Sequence, residues 1–173
     1  MMKVADDFCM KLRALEPEDL EFLYTIENDR DLWDVGNTNV PYSKFSLNNY
    51  LVTCESDIYS DKQMRLVMED ANGEAVGLLD IFNFDPRHLR AEIGIAVTRR
   101  VRNHGYGSEA LRMACDYAKT ILHLHQLYAI VDIENIASLK SFQEAGFKEG
   151  AAMKDWIYDG MIFHDAVMMQ KFL

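Results

Sequence analysis

The chain has 173 residues, of which 49% are hydrophobic and 27% charged, so it is long enough for one domain with a buried core. Its formal net charge of -10 argues against a nucleic-acid partner, because duplex binding depends on Lys and Arg neutralising phosphates. The acidity is compatible with a cationic ligand. The alternative is that the negative charge only keeps the protein soluble. Three cysteines without a C-x-x-C spacing argue against a disulfide framework and against a zinc site.

The first seven residues contain no long apolar run, so no signal peptide is expected. No apolar stretch in the chain is long enough to span a bilayer, which argues against a membrane partner. We therefore expect a cytoplasmic protein.

The first half of the chain predicts a strand, two helices and three further strands. Glu16-Pro17 and the carboxylates after it are typical of a helix start, and Gly36–Pro41 breaks that helix. Asn72-Gly73 lies between two apolar runs and predicts a hairpin. The predicted elements are a strand at Lys11–Leu15, a helix after Glu16, a helix at Ser46–Glu55, and strands at Gln63–Met68, Ala75–Asn83 and Arg90–Val97.

The second half predicts helices between strands and then a closing hairpin. Tyr106–Leu122 is amphipathic, and a short helix at Ala137–Ala145 ends before Gly146. The predicted strands are Gln126–Ile133, Lys154–Tyr158 and Phe163–Lys171. Antiparallel hairpins followed by a crossover helix predict a single α/β domain over residues 1–173, with a mixed sheet and helices on its faces.

The loop between the predicted strand Arg90–Val97 and the amphipathic helix Tyr106–Leu122 suits an anionic ligand. Gly105 and Gly107 allow the backbone to close on a ligand without a Cβ in the way, and the helix start offers unpaired N–H groups. Arg99, Arg100 and Arg102 precede the glycines. In so acidic a chain, this cluster indicates a ligand that carries several phosphates.

The same loop allows two other interpretations. Gly105–Ala110 matches the G-x-G-x-x-G/A dinucleotide fingerprint of an oxidoreductase. That fingerprint requires its first glycine directly after the strand, whereas residues 98–104 intervene here. A helix-capping loop without a ligand is the remaining interpretation.

Two motifs together resemble the GCN5-related N-acetyltransferase (GNAT) superfamily. The loop Arg102–Gly107 is similar to its Q/R-x-x-G-x-G/A motif, and Asn135–Phe147 is similar to its N-x-x-A/S segment that ends in a Gly-Phe pair. The resemblance covers nearly the whole chain. Within the superfamily, the sequence most resembles the branch that contains ribosomal-protein N-terminal acetyltransferases and spermidine acetyltransferases.

The resemblance implies the acyl-CoA N-acyltransferase fold, a mixed and mostly antiparallel sheet flanked by helices, with acetyl-CoA as co-substrate. The backbone of Ile95, Ala96 and Val97 would bind the pantetheine arm. Asn135 would also contact the pantetheine, and the segment near Phe142 would lie beside the sulfur. The N–H groups that would hold the pyrophosphate belong to Arg102, Asn103, His104, Gly105, Tyr106, Gly107 and Ser108.

Two positions depart from the superfamily's pattern. Asn103 stands where glycine is common, and Asn tolerates left-handed backbone geometry. Phe142 stands where many members carry a tyrosine that is thought to protonate the leaving thiolate, and a phenyl ring cannot donate a proton.

Acetyl transfer to an amine requires a base, because a free alkyl amine is mostly charged at neutral pH. Glu92, on the strand that would bind the donor, is the candidate base; the alternative is a solvated or salt-bridged strand glutamate, for example one paired with Arg90. A backbone N–H near Ala96 or Val97 could polarise the carbonyl. Tyr158 and, as a second choice, Tyr128 are candidates for the missing acid.

The acceptor is expected to be a primary amine of a small molecule or peptide that attacks directly. The polyamine alternative rests on acidic residues around the first helix, namely Glu27, Asp29, Asp31 and Asp34. No metal is expected, because His123 and His125 lack a carboxylate or thiol partner in sequence. A homodimer formed by the final strands is expected. An acyl-CoA-binding module without catalysis is the alternative from another class.

Overall fold

The computed structural model describes residues 10–33, 40–54 and 57–173. Within these ranges, seven strands form one sheet in the order β1-β2-β3-β4-β5-β7-β6. All neighbouring strands are antiparallel except β4 and β5, which are parallel. This confirms the expected mixed, mostly antiparallel sheet. The strands are β1 (Lys11–Ala14), β2 (Met64–Glu69), β3 (Ala75–Asp85), β4 (Arg90–Val97), β5 (Gln126–Asp132), β6 (Lys148–Tyr158) and β7 (Phe163–Phe172).

The helices agree with the predicted order, with two short additions at α2 and α4. These additions have four residues each, which is too short for helical periodicity to reveal. Helix α3 begins two residues before its predicted start, because the Ser43 hydroxyl accepts a 3.0 Å hydrogen bond from the Ser46 N–H and caps it. The helices are α1 (Leu20–Glu27), α2 (Arg30–Trp33), α3 (Lys44–Thr53), α4 (Ile58–Asp61), α5 (Tyr106–Thr120) and α6 (Ile136–Glu144).

Some predictions concern residues outside the described ranges. They are the absence of a signal peptide at residues 1–7, most of the break at Gly36–Pro41, and the role of Asp34. The end predicted for the second helix, Glu55, also lies outside them.

Helices cover both faces of the sheet. On one face α5 and α6 pack against strand residues such as Leu79, Ile93 and Leu127. On the other face α1 and α3 pack against Val67 and Leu78. Since successive strand residues point to opposite faces, neighbours such as Leu78 and Leu79 belong to different layers of the core. In the part of the chain that the structure covers, no helix combines the length and apolar character needed to cross a membrane.

Strand β6 begins six residues before its predicted start. Most of its side chains are exposed, so its first half has no alternation of buried and exposed residues that the sequence could reveal. It is held instead by backbone pairing with β7, which is irregular between Glu149 and Ala152 and between Met153 and Ile157.

Candidate active site

Strands β4 and β5 separate after a short stretch of parallel pairing. Arg90, Ala91 and Glu92 pair with Gln126, Leu127 and Tyr128. Beyond Glu92, β4 continues to Val97 alongside β3, and no other strand among the described residues pairs with its second side. The two strands therefore form a fork, and the backbone of Ile93–Val97 offers N–H and C=O groups along one arm, as a sheet edge does.

The loop at the open end of this fork has the backbone geometry of an anion cradle. After Val97, a short 3₁₀ helix at Arg99–Val101 leads to Asn103 and Gly105, whose φ angles are 62° and 87°. Helix α5 then begins at Tyr106 without a side-chain cap at Gly105. Its first N–H groups have no preceding turn to bond and carry the positive end of the helix dipole.

The arginines around the loop differ in their surroundings. Arg99 pairs with Asp31, and Arg100 pairs with Glu74 at 2.8 Å. Arg102 instead donates its Nε–H to the Val97 carbonyl at 3.0 Å, and its Nη2 is buried without a hydrogen-bond partner. A buried guanidinium nitrogen without a partner is costly, so Arg102 Nη2 is a donor that a ligand at this loop could satisfy.

Gly107 lets α5 approach the fork closely. A Cβ at this position would lie 3.1 Å from Ile95 Cδ1 and 3.4 Å from Ser141 Oγ. The side chain of the next residue, Ser108, is buried and donates a 2.6 Å hydrogen bond to Glu144. At Gly107 and Ser108, therefore, no free side chain lies between the backbone of this first turn and the end of β4.

The pattern of the acetyltransferase (GNAT) domain family matches residues 10–148. The chain belongs to this family. It is therefore an N-acetyltransferase, and the acyl donor in this family is an acyl-CoA. The acetyltransferase prediction is confirmed.

The chain aligns over most of its length with relatives whose substrates are named. The spermidine N(1)-acetyltransferase of Escherichia coli (strain K12) is 30% identical over 161 residues, which are 92% of this chain and 84% of the relative. The crystal structure of spermidine N-acetyltransferase from Vibrio cholerae in complex with CoA and spermine has a TM-score of 0.81 and 27% identity, covering 94% of this chain and 95% of that one. A dodecameric structure of the Vibrio cholerae enzyme has a TM-score of 0.78 and 28% identity, covering 94% and 93%.

Glu92 lies at the point where the GNAT fork opens. Its carboxylate is half-buried and accepts a 2.8 Å hydrogen bond from Asn83 Nδ2. Arg90, the partner that the alternative interpretation gave to Glu92, pairs instead with Asp85 at 3.4 Å. Tyr128 lies directly across the fork, and burial together with the nearby Glu92 charge raises the pKa of its phenol.

Asn135 immediately precedes α6, and Phe142 lies within it. The Asn135 Oδ1 caps the helix by accepting a 3.1 Å hydrogen bond from the Ser138 N–H. The Phe142 ring is only 2% exposed and packs edge-on against Phe147, with ring centroids 5.0 Å apart. The ring therefore forms part of the wall between α6 and the sheet and carries no group that can exchange a proton.

Tyr158 lies away from the fork, at the end of β6. It is 58% exposed, and its ring packs against Phe163 in the β6–β7 hairpin. The structure thus does not bring the first choice of acid, Tyr158, together with Glu92, whereas it does bring the second choice, Tyr128, to the opposite side of the fork.

The acidic residues near the first helices are largely paired with arginines. Glu27 and Asp80 both pair with Arg65, at 2.5 and 2.7 Å, and Asp31 pairs with Arg99. Asp29 lines a cleft of about 190 Å³. The cleft lies between the first two helices and the end of β4, and its lining residues are Phe22, Thr25, Ile26, Asp29, Leu32, Thr98 and Arg99.

Sequence reasoning missed Asn83 and Arg65. Asn83 is placed by an irregularity in β3, and Arg65 by a salt-bridge pair formed across strands, so neither belongs to a local motif. Among the residues that the structure covers, no group of three or more His, Cys, Asp or Glu side chains is arranged to hold a metal ion.

Proposed function

We propose that the protein transfers the acetyl group of acetyl-CoA to a primary amine that attacks the thioester directly. The observation that carries this proposal is the fork, because an unpaired arm of β4 runs from the Glu92 carboxylate to the anion cradle at the start of α5. A pantetheine arm is long and carries amide groups, whereas a pyrophosphate is a dianion. The amide groups can bond to the unpaired backbone of β4, and the pyrophosphate can bind at the anion cradle.

We place the proposed acetyl-CoA site along the unpaired arm of β4 and the loop before α5. Backbone groups of Ile95, Ala96 and Val97 would bind the pantetheine. The N–H groups from Arg102 to Ser108, with the unpaired Nη2 of Arg102, would hold the pyrophosphate. Asn135 already caps α6, so its amide nitrogen is the part of its side chain left to contact the pantetheine.

Glu92 is proposed as the general base. It would remove the proton that the attacking amine loses, directly or through a water molecule. The hydrogen bond from Asn83 would hold its carboxylate at the point where the strands separate. An N–H group near Ala96 or Val97 would stabilise the developing charge on the carbonyl oxygen.

A polyamine is proposed as the acceptor. The named relatives act on spermidine, and a net charge of -10 favours a cation. Asp29, which lines the cleft, would receive a positive charge of the polyamine, since Glu27 and Asp31 are paired with arginines. Residues 1–173 are proposed to work as one acetyltransferase domain, because β1 near one end and β7 near the other belong to the same sheet.

The test is an acceptor screen that follows release of the free thiol from acetyl-CoA. The panel contains spermidine, spermine, a peptide with a free N-terminus, an amino sugar and a simple monoamine. We expect the highest kcat/KM with a polyamine. A higher value with the peptide or the amino sugar would contradict the polyamine proposal. If the protein binds acetyl-CoA tightly but turns over no amine, the result would contradict the proposed transfer and would favour a non-catalytic acyl-CoA-binding protein.

The role of Glu92 is tested in the same assay. Glu92→Gln should lower kcat by about 100-fold or more, in line with the contribution of general bases. Glu149→Gln, on the exposed part of β6, is the matched control and should leave kcat unchanged. A loss below about threefold for Glu92→Gln, set against that range for general bases, would assign the base to another group.

We also propose that the protein associates as a homodimer through the β6–β7 hairpin. The hairpin exposes an unusual number of large apolar side chains, since Trp156, Tyr158, Met161, Ile162 and Phe163 are all more than half exposed. Exposed apolar patches of this kind mark interaction surfaces. A related enzyme forms a dodecamer, which supports self-association in general.

A further inference from the structure

The leaving sulfur needs a proton that Phe142 cannot supply. The position holds a phenyl ring that is 2% exposed, packed against Phe147 and without any hydroxyl. If the departing thiolate is to be neutralised by the protein, the proton must come from another side chain at the fork.

The arms of the fork contain one side chain with a hydroxyl group. From Glu92 to Val97 on β4 the other side chains are aliphatic or absent, and from Tyr128 to Asp132 on β5 the only O–H donor is Tyr128. Tyr128 is half-buried and forms the last pair before the strands separate. Its partner in that pair is Glu92, and both side chains therefore point to the same face of the sheet.

We propose that Tyr128 donates the proton to the leaving sulfur and that Glu92 and Tyr128 together relay the proton that the amine gives up. The proposal rests on the proposed acetyl transfer. The amine reaches the site in its neutral form, having lost its ammonium proton to solvent, and Glu92 takes one further proton from the nitrogen as the carbon–nitrogen bond forms. Tyr128 gives its phenolic proton to the sulfur as the carbon–sulfur bond breaks. Glu92 then returns its proton to the Tyr128 oxygen, so that both groups end as they began and one proton has passed from nitrogen to sulfur.

The surroundings of Tyr128 keep its proton in place until it is needed. Burial raises the pKa of the phenol, and the negative charge of Glu92 raises it further, whereas Arg90 acts in the opposite direction and Asp85 adds to the rise. A phenol with a raised pKa stays protonated at neutral pH. It can therefore act as an acid toward a thiolate formed where the two strands separate.

The first test is Tyr128→Phe, which keeps the ring and removes only the hydroxyl. We expect kcat with acetyl-CoA to fall by about 100-fold with little change in KM, the range of general acid catalysis. The high-pH decline of kcat that accompanies ionisation of Tyr128, above its ordinary pKa of 10.0, should also disappear. Tyr117→Phe, on the exposed face of α5, is the control and should behave as the unmodified protein does.

A second test does not depend on turnover. Phenolate absorbance is titrated at alkaline pH, and the difference between the unmodified protein and Tyr128→Phe isolates Tyr128. Glu92→Gln should move this transition to lower pH, because the nearby charge is removed. An unmoved transition would overturn the relay. A kcat of Tyr128→Phe close to that of the unmodified enzyme would overturn the donor role. If the unmodified protein acetylates no amine, the proposed function itself fails, while the titration still tests the pair.

Discussion

Asn83 on β3 donates a hydrogen bond of 2.8 Å from Nδ2 to Oε2 of Glu92 on β4. The contact depends on an irregularity in the pairing of the two strands between Phe82 and Asp85, where Asn83 adopts a φ of 49°. Bulges of this kind redirect a side chain next to a functional site. Here the bulge gives the carboxylate a fixed donor at the point where the fork opens.

Removing this donor should weaken catalysis without weakening donor binding. We expect Asn83→Ala to lower kcat by about tenfold, since a hydrogen bond to a charged group contributes about 1.5–3 kcal/mol. The KM for acetyl-CoA should remain unchanged. Asn83→Gly is the matched control, because it also lacks the amide but accepts a positive φ without strain. Full activity in Asn83→Gly would mean that the bulge, rather than the hydrogen bond, matters.

The two glycines of the loop should respond differently to substitution. Gly107→Val would bring new methyl groups against Ile95 and Ser141, where even a Cβ would be within 3.4 Å, and should separate α5 from the fork. We expect weaker acetyl-CoA binding and a loss of about 1–3 kcal/mol in the free energy of unfolding, as overpacking usually costs.

Gly105→Ala is the comparison for Gly107→Val. Nothing in the described structure lies within 4 Å of a Cβ at this position, but its φ is 87°. Only backbone strain should follow, and acetyl-CoA binding should fall less than in Gly107→Val. Isothermal titration with acetyl-CoA and urea unfolding of both variants check this order, and the reverse order would contradict it.

Local patterns were enough to predict the sheet, the long helix and the loop of this protein. Turn residues such as Asn72-Gly73 and the glycines before α5 impose their geometry within a few residues, so sequence alone indicates it. The Glu92–Asn83 contact depends on a bulge in β3. The Glu92–Tyr128 pair depends on the register between β4 and β5, which brings together two residues that are 36 positions apart in sequence. Such relationships arise from tertiary packing, so the sequence alone does not distinguish Tyr128 from Tyr158 as the partner of Glu92.

The stability of the protein should decline through His164 as the pH rises above 6.5. Its side chain faces Asp159 at 3.0 Å, Glu134 at 3.4 Å and Asp132 at 3.7 Å. The hydrogen bond with Asp159 and the charges of Asp132 and Glu134 raise the pKa of His164 above its ordinary 6.5. The folded state thus binds this proton more tightly than the unfolded chain does. The resulting stabilisation is complete below pH 6.5 and is lost as the pH rises through the raised pKa.

Thermal unfolding between pH 6 and 9 measures this contribution. His164→Gln should be less stable than the unmodified protein at the lower end and should approach it at the upper end. His88→Gln, on the exposed β3–β4 turn, is the control and should keep the original pH dependence. An identical pH profile in His164→Gln would assign the dependence to other groups.

The β6–β7 hairpin should control the mass of the particle in solution. Trp156 and Phe163 are 59% and 61% exposed, and burying such side chains against a second copy contributes about 1.5–3 kcal/mol each. Introducing a charge there, as in Trp156→Glu or Phe163→Glu, would make that burial unfavourable, and light scattering after size-exclusion chromatography should then show a lower mass. Val52→Glu is the matched control, because Val52 is 74% exposed on α3, away from the hairpin. If the hairpin variants keep the mass of the unmodified protein while Val52→Glu lowers it, the interface lies on the helical face instead.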